Sequence, residues 1–132
     1  MIVGLGVDIV EVPRMRATIE RRGERFLKRA FTAGEQAYCL RSQCPERRFA
    51  ARFAAKEAVM KALGKGWTQG MRFHEIETTR NEDGKPGVRL SGSTAARAAE
   101  LGVRAIHVSM THGLEIALAY VVAEGDASVE PQ

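Results

Sequence analysis

Pro45-Glu-Arg-Arg-Phe49-Ala-Ala-Arg52-Phe53-Ala-Ala-Lys56-Glu57-Ala58-Val59-Met60-Lys61-Ala62-Leu63-Gly64 reads as one long helix running from Pro45 through Leu63. Proline suits a first helical turn, where its missing N–H costs nothing, and glycine suits the position just past the end. At about 3.6 residues per turn, Phe49, Phe53, Val59, Met60 and Leu63 fall on one apolar arc. Lys56 lies inside that arc and Arg52 near its edge. A lysine in a core stripe is costly unless it is paired or its amine reaches water. Two readings follow: the Lys56 stem runs along the core to solvent, or the stripe lines a cleft that holds an anion. Arg48, Arg52 and Lys56 also recur at every fourth position, where like charges repel. A bound phosphate would reverse the sign of that interaction. Glu57 stands among these cations, either as the i,i+4 partner of Lys61 or as a metal ligand.

Ile2 to Val12 reads as a strand, with Val3, Leu5, Val7 and Ile9 alternating on one face. The opposite face carries Gly4, Gly6 and Asp8. Glycines inside a strand mark a close approach by another element. They would let the helix bearing Glu57 come close enough to pair it with Asp8. Two carboxylates together suit magnesium, which binds one or two protein carboxylates with waters and substrate phosphates. Pro13 opens a helix over Arg14 to Arg22, broken at Gly23 and resumed from Glu24 to Ala30. It carries Arg14, Arg16, Arg21, Arg22, Arg25, Lys28 and Arg29 against Glu20 and Glu24. Thr32-Ala-Gly-Glu35 is a capping box for a helix reaching Leu40.

Beyond Gly64, residues 64–70 read as a loop and Arg72 to Thr79 as a strand. Asn81-Glu-Asp-Gly84-Lys-Pro86 reads as a hairpin connection to a return strand at Val88 to Leu90. Ser93 caps a short helix ending at Leu101. Two last strands, Val103 to Thr111 and Leu114 to Ala123, meet at His112-Gly113. A histidine at a strand end can sit in a turn, bind phosphate or move a proton. The order β-α-α-α-β-β-α-β-β predicts an α+β fold with a largely antiparallel sheet and a long central helix. Residues 1–126 read as one domain and 127–132 as a flexible tail.

A chain of 132 residues, 45% hydrophobic and 27% charged, is composed like a globular domain rather than a disordered one. No apolar run approaches the roughly 18 residues of a membrane span, and no signal peptide is read at the N-terminus. Cys39 and Cys44 lack the companions of a zinc site, so they read as reduced thiols of a cytoplasmic protein. Residues 1–66 carry a net charge of +7 and residues 67–132 a net −3, giving the overall +4. The basic half implies an anionic partner: nucleic acid, a phosphorylated cofactor or an acidic protein. With 6% aromatics and no nucleic-acid motif, the nucleic-acid reading is the weaker one. There is no Walker A loop and no strand–GxGxxG–helix unit.

Three blocks in order carry a resemblance. They are Gly6-Val-Asp8-Ile-Val-Glu-Val-Pro-Arg14, Phe31-Thr-Ala-Gly-Glu35, and Arg52-Phe-Ala-Ala-Lys56-Glu57-Ala-Val-Met-Lys61-Ala-Leu-Gly64. With the 81–86 hairpin and Ser109-Met-Thr-His112, the chain resembles the holo-acyl-carrier-protein synthase family, the small bacterial phosphopantetheinyl transferases. The resemblance implies Mg²⁺-dependent transfer of the 4′-phosphopantetheine group of coenzyme A to a serine of apo acyl carrier protein, in support of fatty acid biosynthesis. It implies release of adenosine 3′,5′-bisphosphate and a homotrimer with active sites between subunits, using neither nucleic acid nor membrane. Asp8, Glu57 and Lys61 would be catalytic, with Asp8 and Glu57 holding the metal. Coenzyme A would meet Arg48, Arg52, Lys56, Lys61, Gly64, Gly66, Pro86 and His112, and the carrier would dock on Arg14, Arg21, Arg25 and Phe26. Gly113 departs from the family, which often has a hydroxyl residue there. A rival reading is a relative that binds coenzyme A without turning it over.

Overall fold

Residues 1–64 and 70–126 are described by the structure, a computed structural model. The expected roles of Gly66 and of a tail at 127–132 lie outside these residues. The elements run β1 (Ile2–Glu11), α1 (Val12–Ala30), α2 (Ala33–Leu40), α3 (Pro45–Ala62), a 3₁₀ turn (Phe73–Glu75), β2 (Ile76–Arg80), β3 (Pro86–Leu90), α4 (Gly92–Glu100), β4 (Val103–His112) and β5 (Ile116–Gly125). This is the α+β order read from the sequence. The strands form two antiparallel sheets rather than one: a three-stranded sheet ordered β1-β5-β4, and the β2–β3 hairpin.

The glycine face of β1 is the inward face. A methyl group at Gly6 would lie 1.8 Å from the Ala58 carbonyl oxygen, and one at Gly4 would lie 1.9 Å from that of Ala62. The backbone of α3 therefore sits directly on β1. The alternating apolar residues Leu5, Val7 and Ile9 point to the other side and are about half exposed.

The single apolar arc expected of α3 is too narrow. Eleven of its 18 residues are buried. One side packs Ala54, Ala55, Ala58 and Ala62 with Ala119, Val121 and Ala123 of β5. Toward its start, Phe49, Ala50 and Ala51 pack with Met15, Phe26 and Leu27 of α1 and with Phe31. Small side chains bring helix and sheet close, and the aromatic residues fill the wider gap to α1.

α1 breaks where expected, with Gly23 at φ 59°. Two local expectations are revised. Arg72 to Thr79 is not one strand, because a 3₁₀ turn precedes β2. Ser93 does not cap α4, whose cap residue is Ser91, without a side-chain bond. A remote carboxylate does that work. Glu75 Oε1 and Oε2 accept the Thr94 and Ser93 N–H at 3.1 and 3.2 Å. Its carboxylate also accepts both hydroxyls, at 2.8 and 2.9 Å. Burial pushes Glu75 upward, but these bonds outweigh it and bring the carboxyl down to about 2.

Candidate active site

Asp8 and Glu57 meet because the glycines upstream of Asp8 admit α3. Burial, followed by the neighbouring Asp8 carboxylate, pushes Glu57 up to about 7, while Lys61 pulls the other way. Lys61 Nζ donates to Asp8 Oδ1 at 3.0 Å and to the Val7 carbonyl at 2.9 Å. Lys61 therefore forms its ion pair with Asp8 rather than with Glu57 as the i,i+4 reading has it, and acts on Glu57 through its charge alone. Two adjacent carboxylates repel unless a proton or a cation lies between them. They form a set of hard oxygen donors that fits Mg²⁺ completed by phosphate oxygens and water. Among the described residues no cluster of three or more metal-ligating side chains occurs.

The same carboxylates open onto a cleft of about 540 Å³, lined also by Arg14, Arg21, Arg22 and Phe26 of α1 and by Phe53. Three of the four expected carrier contacts therefore lie beside Asp8 and Glu57. Arg25 is exposed but does not line this cleft. Phe26 is 9% exposed, with its ring 6.0 Å from Phe53 and 6.1 Å from Phe31. It forms a wall of the cleft. A second cleft of about 700 Å³ continues past Glu57 between Arg22, Lys28 and Arg29 and the 70–74 segment.

Lys56 belongs to neither cleft. It is fully buried, and its Nζ donates to Glu35 Oε1 at 2.7 Å, to the Phe73 carbonyl at 2.9 Å and to the Ile76 carbonyl. An ammonium has three N–H donors, and all are used internally. Lys56 therefore has no donor left for coenzyme A, and neither reading made from the sequence describes it. Burial lowers its pKa, and Glu35 opposes that shift. Glu35 also completes the expected capping box, accepting the Thr32 N–H at 2.9 Å while Thr32 Oγ1 accepts the Glu35 N–H at 3.2 Å. Its Oε2 accepts the Thr78 N–H and hydroxyl at 2.8 and 2.7 Å. One buried pair thus ties α2, α3 and β2 together. A lysine in a core stripe demands a buried carboxylate, and the acidic residue of the capping box was available for that part.

Arg48 and Arg52 lie on the other side of α3. Arg52 and Glu57 are five residues apart, a rotation of roughly 140° around a helix. Their surroundings include two residues that the sequence reading did not single out. The Tyr38 ring lies 4.2 Å from the Arg48 guanidinium carbon, 4.7 Å from that of Arg52 and 5.1 Å from that of Arg80. Arg48 also donates to the Tyr38 carbonyl at 2.8 Å. Pro86 joins this group as the ladder partner of Arg80. His112 faces it from the end of β4. Burial, followed by Arg52, Arg47, Arg48 and Arg80, lowers the His112 pKa. Arg52 is 3% exposed, and among the described residues none of these arginines forms an ion pair with a carboxylate. The buried Arg47 Nε has no hydrogen-bond partner. This chemistry fits a phosphate. Gly64 follows α3 with φ 77° in the expected terminating position, and its N–H donates to the Lys61 carbonyl at 3.1 Å.

Asp8 pairs with Ala119 across β1–β5, and Ala119 pairs with Met110 across β5–β4. His112 is two residues beyond Met110, so Asp8 and His112 stand on opposite edge strands, roughly 12 Å apart at Cα by strand spacing. α3 packs between them. The expected site residues therefore form two groups, one on each flank of the same helix.

A paired carboxylate site beside a basic cleft, with a separate arginine cluster, is equipped to hold a metal ion and a phosphorylated ligand. A family model described as the 4′-phosphopantetheinyl transferase superfamily matches residues 4–120, and the chain belongs to that family. It is an enzyme, a phosphopantetheinyl transferase. A curated relative, the holo-[acyl-carrier-protein] synthase of Solibacter usitatus, is 48% identical over 94% of this chain and 99% of its own length. The crystal structure of holo-[acyl-carrier-protein] synthase from Neisseria meningitidis is 33% identical, with a TM-score of 0.83 over 94% of this chain and 99% of that one. The Bacillus anthracis holo-(acyl-carrier-protein) synthase in complex with CoA (3′,5′-ADP) is 32% identical. Its TM-score is 0.78 over 96% of this chain and 99% of that one.

Proposed function

We propose that the protein transfers the 4′-phosphopantetheine group of coenzyme A to a serine of apo acyl carrier protein. The reaction depends on Mg²⁺, releases adenosine 3′,5′-bisphosphate and supplies fatty acid biosynthesis in the cytoplasm. The observation that carries this reading is the shared cleft. The carboxylate pair and the basic side chains of α1 line one opening, so an acidic carrier resting on Arg14 and Arg21 brings its serine to Asp8 and Glu57.

In the reaction a serine Oγ–phosphorus bond forms as the pyrophosphate P–O bond breaks; adenosine 3′,5′-bisphosphate departs with the bridging oxygen, and the hydroxyl proton passes to water. Asp8 and Glu57 would hold Mg²⁺, which supplies charge neutralisation at the pyrophosphate when bound. Lys61, exposed and paired with Asp8, can turn its ammonium to the pyrophosphate oxygens. Arg48, Arg52 and His112 hold the 3′-phosphate, with Pro86 beside the adenine. Arg25, outside the cleft, serves only the outer part of the carrier surface.

Within a single chain α3 stands between the two residue groups, so a nucleotide engaging both would have to pass around that helix. Two copies together resolve this, with carboxylates from one and arginines from its neighbour. The outer face of β1 and β5 supports that assembly. Leu5, Val7, Ile9, Ile116 and Tyr120 are exposed there, and Val7 lies directly across from Tyr120. A contiguous apolar face of this kind marks an interface. The family resemblance makes the assembly a trimer, built from one domain per chain over residues 1–126.

The test is mass spectrometry of apo acyl carrier protein incubated with this protein, coenzyme A and Mg²⁺. A gain of one phosphopantetheinyl group, lost with chelator and with Asp8→Ala, supports the reading. A folded protein that binds coenzyme A but modifies none of several carriers would overturn it.

A further inference from the structure

Tyr38 holds a position that no catalytic step requires. It lies on α2, and its ring collects cations from three other parts of the chain: Arg41 beyond the helix end, Arg48 and Arg52 on α3, and Arg80 on β2. The guanidinium carbons lie 4.2–5.6 Å from the ring centre, within cation–π range. No carboxylate offsets them among the described residues, and His112 adds its imidazole from β4. Like charges gathered this closely repel, and the electron-rich faces of one aromatic ring oppose part of that repulsion. Arg48 Nη1 donates to the Tyr38 carbonyl at 2.8 Å and Arg80 Nη1 to the Gly84 carbonyl at 2.6 Å. The ring contacts the planar groups and leaves their remaining N–H donors for an anion such as a phosphate monoester.

We propose that Tyr38 is a positioning residue that sets the preference for a nucleotide bearing a 3′-phosphate, by holding Arg48, Arg52 and Arg80 in one arrangement. This inference rests on the assignment of the arginine cluster to the 3′-phosphate of coenzyme A. The ring acts through the arginines and touches no reacting atom. Glu35 and Lys56 anchor the helix that carries it, so the ring position is fixed from the core.

The test compares coenzyme A with 3′-dephospho-coenzyme A as substrates, reading the ratio of their kcat/KM values. The expectation is that Tyr38→Leu and Tyr38→Met each lower that ratio by about fivefold or more, whereas Tyr38→Phe, which keeps the ring, stays within about twofold. Calorimetric titration with adenosine 3′,5′-bisphosphate against AMP should show the same loss of preference without requiring turnover. A folded Tyr38→Leu or Tyr38→Met protein with an unchanged ratio in both assays would overturn the role of Tyr38. A parent protein with no preference in either assay would overturn the phosphate assignment and this inference with it. Absence of transfer with a preserved binding preference would overturn the proposed activity, while the titrations would still decide the part played by Tyr38.

Discussion

Among the described glycines, Gly6 leaves the least room for a side chain, and the same contact builds the site, so Gly6→Ala tests packing and site at once. The new methyl would sit 1.8 Å from the Ala58 carbonyl oxygen, 2.8 Å from its carbonyl carbon and 3.1 Å from the Ala62 nitrogen. All three are backbone atoms of α3, so no side chain can swing aside. Real Cβ contacts keep beyond 3.0 Å, so α3 must retreat from β1 by at least the difference, 1.2 Å. That retreat loosens the alanine face of α3 against β5. Overpacking in a filled core costs about 1–3 kcal/mol and occasionally more. A loss of about 3 kcal/mol would lower the melting temperature by roughly 10 °C in a chain of this size. Ala58 adjoins Glu57, and Asp8 is two residues from the substitution, so the carboxylate pair opens as well. A misplacement near 1 Å can reduce turnover by about 10²-fold. Thermal denaturation and carrier modification, measured well below both melting points, read the two effects. Gly113→Ala is the control, because a methyl there meets nothing within 4 Å. Gly6→Ala melting within about 2 °C of the parent and working within about threefold of it would refute the reasoning.

Lys56→Met should cost about 3–5 kcal/mol in urea denaturation, because it leaves Glu35 buried without its cation; a loss under about 1 kcal/mol would show that the pair is not what ties α2, α3 and β2. Glu75 titrates at about 2 in the fold against a usual 4.5, so its contribution is present above the unfolded value and lost as pH falls through the folded one. Glu75→Gln should therefore melt lower than the parent at neutral pH, with the gap closing between about pH 5 and pH 2; a gap that persists at the acid end would contradict this. Arg21→Glu should raise KM for the carrier far more than KM for coenzyme A, with the effect shrinking as salt is added. Arg14→Glu is the less clean variant, because Arg14 also bears on Glu57; equal changes in both KM values for Arg21→Glu would remove α1 from the docking surface. Burial pushes the Cys39 thiol up to about 12, and the residue is fully buried. Alkylation of the native protein should spare Cys39 until denaturant is added, which peptide mapping can show.

Local rules were sufficient wherever a few neighbouring residues decide the outcome. The capping box at Thr32 and Glu35, the kink at Gly23, the end of α3 at Gly64 and the 81–86 turn depend on backbone chemistry within one or two turns of chain. The order of elements followed from these signals, and the glycines of β1 pointed to a close approach that brings Glu57 to Asp8. Tertiary structure decided what depends on partners distant in sequence. Alternation in β1 identifies two faces but not which is buried, and the backbone of α3 requires the one without side chains. The pattern at Lys56 shows a charge in the core but not its partner, which lies 21 residues away on another helix. Ser93 offers a cap, yet the Glu75 carboxylate reaches its N–H from outside the helix. Tyr38 and Arg80 carry no motif individually, and only packing α2, α3 and β2 around Lys56 gathers their cations at one ring. The division of the site between the two flanks of α3 is likewise a matter of three dimensions: helical rotation separates Arg52 from Glu57, and the width of the sheet separates Asp8 from His112.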